Sequence, residues 1–87
     1  MKICNFPEDL KAFVIDAIML DNHESVSCYV GDNKEHVISA TAYNDGYYIE
    51  LIALINGADE KIKETCFVEI GQEKGIPTVV EYLTNCI

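Results

Sequence analysis

The sequence predicts an α+β fold in the order αββββα: a four-stranded antiparallel meander with an N-terminal helix and a short C-terminal helix packed on one face. Three observations carry this. Residues 36–55 hold two apolar runs around Asn44-Asp45-Gly46-Tyr47. An Asp-Gly pair between such runs is a strong hairpin signal, because both central positions of a type I′ turn need φ > 0. Leu10, Phe13, Val14, Ala17 and Ile18 recur at the spacing of one helix face, and Ile76, Val79, Val80 and Leu83 repeat that spacing near the other end of the chain.

Taken in order, residues 1–6 read as a lead-in. Pro7 presets φ for a first helical turn, with Glu8 and Asp9 where the helix dipole favours negative charge. Ala12, Ile15 and Met19 widen the apolar stripe, so cover on more than one side is expected, and Asp21-Asn22 ends the helix. Residues 24–30 alternate, with Val26, Cys28 and Val30 toward the core and Ser25, Ser27 and Tyr29 away from it. A three-residue loop, Gly31-Asp32-Asn33, has the odd length that sets those inner residues beside Ile38 and Ala40.

The register of the central hairpin follows from its faces. A two-residue loop at Asp45-Gly46 pairs Ala42 with Ile49, Ala40 with Leu51 and Ile38 with Ala53, all apolar. A three-residue loop would instead set Thr41, Ser39 and Val37 opposite those partners, so the hydrophobic match selects the shorter loop. Small Ala40, Ala42 and Ala53 let a helix approach the sheet closely. Asn56-Gly57 is a further turn signal, and residues 58–64 read as a polar loop. Residues 65–70 form the fourth strand, with Cys66, Val68 and Ile70 inward. Thr78 with Glu81 fits a capping box, which favours a short helix over residues 76–86 against its β-branched content.

The 87 residues are expected to form one domain, residues 1–87, and a hydrophobic share of 49% with 24% charged residues suits a folded globular chain. Fifteen acidic residues oppose six basic ones, all lysine, for a net charge of −9. Without arginine or a basic footprint, direct nucleic-acid binding is not expected, and an anionic membrane surface is disfavoured for the same reason. No apolar run approaches the length of about 18 residues that spans a bilayer, and no leader pattern opens the chain, so a soluble cytoplasmic protein is expected.

Cys4, Cys28, Cys66 and Cys86 are widely spaced with no CxxC pair. Together with His23 and His36 they match no common zinc pattern, so neither metal nor cofactor is expected. Cys28 falls near His36, but on the core side of its strand, where a thiol lacks the exposure a nucleophile needs. Asp59-Glu60 has no cleft around it, and there is no Gly-rich phosphate loop. An enzyme is not expected. Gly75-Ile76-Pro77-Thr78 resembles the cis-proline segment of thioredoxin-like proteins, where such a run leads into a strand. That family's redox CxxC is absent here and no βαβ unit is expected at the start of the chain, so the four-residue likeness carries neither fold nor activity over.

The remaining signal is the outer face of the hairpin. Tyr43 and Tyr48 are expected to oppose each other there, with Tyr47 at the turn, Asp45 and Glu50 beside them, and Val37, Ile52 and Leu54 continuing the surface. Tyrosine gives large contact area for little rotamer entropy, and an apolar outer face marks an interaction surface. Tyr43, Asp45, Tyr47, Tyr48, Glu50 and Ile52 are therefore the expected partner-binding residues. The partner expected is a protein with a basic surface, such as a nucleic-acid-binding enzyme. In size and charge the chain resembles phage anti-defence proteins, including anti-CRISPR inhibitors. The resemblance implies a small inhibitor that occupies the nucleic-acid site of its target, for example a Cas nuclease. The alternative is a homo-oligomeric structural or accessory domain, a homodimer at its simplest, with the same face between copies.

Overall fold

Four antiparallel strands in sequence order make the body of the sheet: β2 (Ser25–Val30), β3 (His36–Tyr43), β4 (Gly46–Ile55) and β5 (Asp59–Glu69). Helices α1 (Leu10–Ile18) and α2 (Ile76–Thr84) flank this meander in the chain. Both lie on one face, as the hydrophobic pattern requires. The computed structural model describes residues 2–4, 9–31, 35–55 and 59–87. The loop residues Asp32-Asn33, the Asn56-Gly57 turn signal and the Pro7-Glu8 helix start lie outside the described residues.

The core forms between the helices and the inner side of the pleat. Phe13, Val14 and Ala17 of α1 and Ile76, Val80 and Leu83 of α2 meet Cys28, Ile38, Ala40, Ala42, Tyr47, Ile49, Leu51 and Val68 in one buried cluster. The alanines sit under the helices, where a larger side chain would hold the layers apart. Ile15, Ile18 and Met19 are exposed. The nine-residue helix has both the sheet and α2 as neighbours, but contrary to expectation this cover does not reach Ala12, Ile15 or Met19, nor Ile18 of the stripe itself.

The hairpin keeps its expected faces through a different register. Tyr43 pairs with Gly46, so the two turn residues are Asn44 and Asp45, and the ladder runs Ala42 to Tyr47, Ala40 to Ile49 and Ile38 to Leu51. This is a shift of two residues from the expected pairing, and two is the period of the pleat, so every inner residue stays inner. Gly46 is not the second residue of a type I′ turn. It opens β4 with φ at 156°, and a Cβ there would collide with the Val68 carbonyl oxygen and the Phe67 ring. The glycine is required by the close approach of β5. The ladder from β2 to β3, with Val26 opposite Ala40 and Cys28 opposite Ile38, has the expected parity.

Four local expectations change. Residues within the lead-in form a three-residue strand, β1 (Lys2–Cys4), which pairs in parallel with β2, so β1, α1 and β2 do make a βαβ unit. The polar run before residue 65 belongs to β5. It is held by backbone pairing to β4 along its whole length, with a bulge opposite Leu51 and Ile52, so its side chains need no apolar pattern. Ile70 lies past the strand and is exposed. Helix α2 begins earlier than a capping box at Thr78 would place it. Gly75 is its N-cap, at the end of a 3-10 turn (Glu73–Gly75), and Pro77 sits in its first turn, where a missing N–H is harmless. Pro77 is helical, so the thioredoxin-like likeness carries no strand here.

Gly46→Ala should lower unfolding stability by about 1–3 kcal/mol or more, the usual range for forcing atoms into a packed site. Gly75→Ala, with ordinary φ and open space around its Cα, should stay within about 0.5 kcal/mol. Urea unfolding of the two variants checks the contrast.

Candidate protein-binding face

The outer side of the sheet carries no helix among the described residues. Strand alternation and the pairing place three cross-strand rows on it. Ser25, Thr41, Tyr48 and Phe67 form the first row. Ser27, Ser39, Glu50 and Thr65 form the second, where the Ser27 hydroxyl donates to Ser39 Oγ at 3.0 Å. Tyr29, Val37, Ile52 and Ile62 form the third. An aromatic band and an aliphatic band therefore lie on either side of a polar stripe whose only formal charge is Glu50.

The first row extends into a line of rings. Phe67 and Tyr48 are direct neighbours across β4 and β5, with centroids 5.0 Å apart and a 55° tilt. Tyr48 meets Tyr43 edge to face at 5.4 Å, and Tyr43 meets His23 at 5.5 Å in the same manner. Such pairs contribute about 0.5–1.5 kcal/mol each beyond the area they bury. They leave Tyr43, Tyr48 and Phe67 at 38%, 41% and 41% exposure, high for rings of this size.

His23 reaches this row through its backbone. Its φ of 72° is uncommon for a residue with a side chain, though His tolerates it better than most. The conformation is held by the His23 N–H donating to the Ala42 carbonyl at 2.7 Å, and by the Ala42 N–H donating to the Glu24 carbonyl at 2.9 Å. The Asp21 N–H in turn donates to Glu24 Oε1 at 2.8 Å, closing the turn. The histidine is thereby anchored at the turn end of the β3–β4 hairpin.

The expected site residues divide. Tyr43 and Tyr48 are on the outer face, in diagonal rather than direct opposition, since Tyr48 pairs with Thr41. Glu50 and Ile52 continue down the same face of β4, half-buried, and Asp45 is exposed in the turn. Tyr47 is the correction. It opposes Ala42 on the inner face and is only 5% exposed, within the core cluster, because the turn falls one residue earlier than expected and makes Tyr47 a strand residue. Phe67 and His23 were not foreseen. Phe67 was readable from alternation, since it lies between inward Cys66 and Val68; its neighbour Tyr48 depends on a β4–β5 register that no short turn announces.

Carboxylates surround the rings. Glu50 follows Tyr48 on β4, Glu69 follows Phe67 on β5 and opposes Gly46, and Asp45 stands at the turn. The described residues offer little for catalysis. No group of three or more His, Cys, Asp or Glu among them could hold a metal ion. Cys28 is buried opposite Ile38, while His36 pairs with Ala53. A groove lined by Leu10, Lys11, Val14, Ile15 and Pro77 gathers no acid–base pair. No helix among the described residues is long and apolar enough to cross a membrane. Comparison with known proteins returned no matching family model, curated relative or solved structure.

Truncating Tyr47 to alanine should cost about 3–5 kcal/mol, the range for large aromatics in cores. Tyr43→Ala should cost less than about 1.5 kcal/mol, since only edge contacts are lost. Denaturant midpoints at equal m-values separate a core tyrosine from a surface one.

Proposed function

We propose that the protein is a small acidic inhibitor that works by binding another protein through the outer sheet face, occupying a basic nucleic-acid-binding surface of its target. The observation that carries this reading is the exposed ring line Tyr43–Tyr48–Phe67 with Asp45, Glu50 and Glu69 around it, on a chain of net charge −9. The rings supply anchors of the kind that dominate interface energy, and the carboxylates suit a basic partner while repelling nucleic acid itself. Arginine or lysine side chains of the partner would lie over the ring faces and reach the carboxylates beside them. Nothing in this reading calls for a cofactor or a catalytic step.

A second reading, a homodimer through this face, draws on the aliphatic band, where Ile62 is exposed beside half-buried Ile52, while Val37 next to them is buried and offers no contact surface. Repulsion between two chains of charge −9 opposes it at low salt. Sedimentation separates the two: a monomer at micromolar concentration removes the dimer reading, and a dimer abolished by Ile62→Lys would establish it.

For the leading reading, the immobilised protein should retain a basic nucleic-acid-binding protein that added nucleic acid competes away. Raising salt from 0.1 M to 1 M shortens the screening length from about 10 Å to about 3 Å and should release the complex. The paired substitution Tyr43→Ala with Tyr48→Ala should weaken binding by at least about tenfold, since each hot-spot ring is worth about 2 kcal/mol or more. Salt-independent affinity, or full affinity in the paired variant, rejects the proposal.

A further inference from the structure

A second constellation lies on the helix-covered side of the sheet, at the seam between the end of α2 and β5. The Tyr82 hydroxyl donates to Glu64 Oε2 at 3.4 Å, and Cys86 follows Tyr82 by four residues, about one helical turn further along the chain. Glu64 and Cys66 face Leu51 and Ile49 of β4 respectively, so they are next neighbours on the inner side of β5. Cys66 and Cys86 are both half-buried free thiols, and both pack against the core cluster. Cys66 on β5 and Cys86 just past the end of α2 thus stand on the two sides of the seam that the Tyr82–Glu64 hydrogen bond closes, each within a few residues of that bond.

The electrostatics register the same proximity. Burial raises the pKa of Cys66 first, and the charge of Glu64 and then the Cys86 thiol raise it further. Tyr82 is raised by its hydrogen bond to Cys86 before any other cause, followed by the charges of Cys86 and Glu64, slight desolvation and Cys66. Cys28 has no such access: it is sealed in the core under the helices.

We propose that Cys66 and Cys86 are a redox pair that closes to an intramolecular disulfide, clasping the end of α2 to β5. The oxidant is a small-molecule disulfide of the glutathione class. One protein thiol loses its proton, and its thiolate attacks a sulfur of the oxidant, forming a mixed disulfide and expelling a glutathione thiolate that takes up the proton. The second protein thiolate then attacks the protein sulfur of that mixed disulfide and expels the second glutathione thiolate, which is protonated in turn. Two protein thiols and one glutathione disulfide become one protein disulfide and two glutathione thiols, so electrons and protons balance. The bridge removes loop entropy from the unfolded chain and makes the docking of α2 covalent.

The test uses the intact, folded chain with all four cysteines present. It is equilibrated with glutathione disulfide, its residual thiols are blocked, and its peptides are mapped without reduction. The expected result is a linked peptide joining Cys66 to Cys86, with two thiols lost per chain and a raised melting temperature that reductant reverses. Cys66→Ser and Cys86→Ser should each abolish the link, while Cys4→Ser should leave it. Glutathione adducts without a link, a bridge through Cys4 or Cys28, or a bridge between chains would overturn the proposal. Mapping of the unsubstituted chain decides the matter even where a serine variant folds poorly.

Discussion

The pairing of β3 with β4 decides on which side of the sheet nearly every other side chain lies. Tyr47, Ile49 and Leu51 point inward only because they oppose Ala42, Ala40 and Ile38. A slip of one residue would turn all three to solvent. Burying each is worth about 1.5–3 kcal/mol, so the slip would forfeit several kcal/mol from a domain whose whole stability is on the order of 5–15 kcal/mol. A step of two residues changes no face, and for that reason the inner and outer surfaces survive a difference in where the turn begins.

Much of the architecture was legible because burial leaves a periodic trace. Phe13, Val14 and Ala17 at helical spacing and Ile38, Ala40 and Ala42 at strand spacing mark surfaces that must be covered, and the structure covers them. Elements held by backbone pairing leave no such trace. β1 has three residues, too few for any period to show, and the first half of β5 is charged because it is kept in place by β4 rather than by a core. The candidate face was legible in part for the same reason. Tyr43, Tyr48, Glu50 and Ile52 follow from alternation alone, whereas the position of Tyr47 depends on the turn's starting residue. His23 depends on a left-handed backbone conformation fixed by the bonds that His23 and Glu24 each make with Ala42, which no local pattern encodes.

The ring line combines two demands that usually compete. Edge-to-face contacts from His23 to Tyr48 and the tilted contact of Tyr48 with Phe67 stiffen the hairpin and tie it to β5, yet each ring keeps one surface open to water. A stabilising contact of about 1 kcal/mol per pair is smaller than the roughly 2 kcal/mol or more that an interface anchor supplies when a partner desolvates it. The rings are therefore held in place by one another, so that in the proposed complex little ordering entropy would oppose binding. On the other side of the sheet, Tyr82 and Glu64 join α2 to the strand that carries Phe67, so both faces share β5 as a common support.

That strand stands last in the sheet, with β4 on one side and no further strand beyond it among the described residues. An edge of eleven residues with this much backbone on offer is a template on which other chains can add themselves, and long flat edges are where fibrous aggregates begin. Here the edge is neither flat nor neutral. The bulge opposite Leu51 and Ile52 interrupts the regular spacing of donors and acceptors at mid-strand, and Lys61 and Lys63 place charge along the same stretch. An incoming strand would have to reproduce the irregularity and accommodate the charges. The polar run that obscured this strand in the sequence thus works against polymerisation of the folded chain along its own edge.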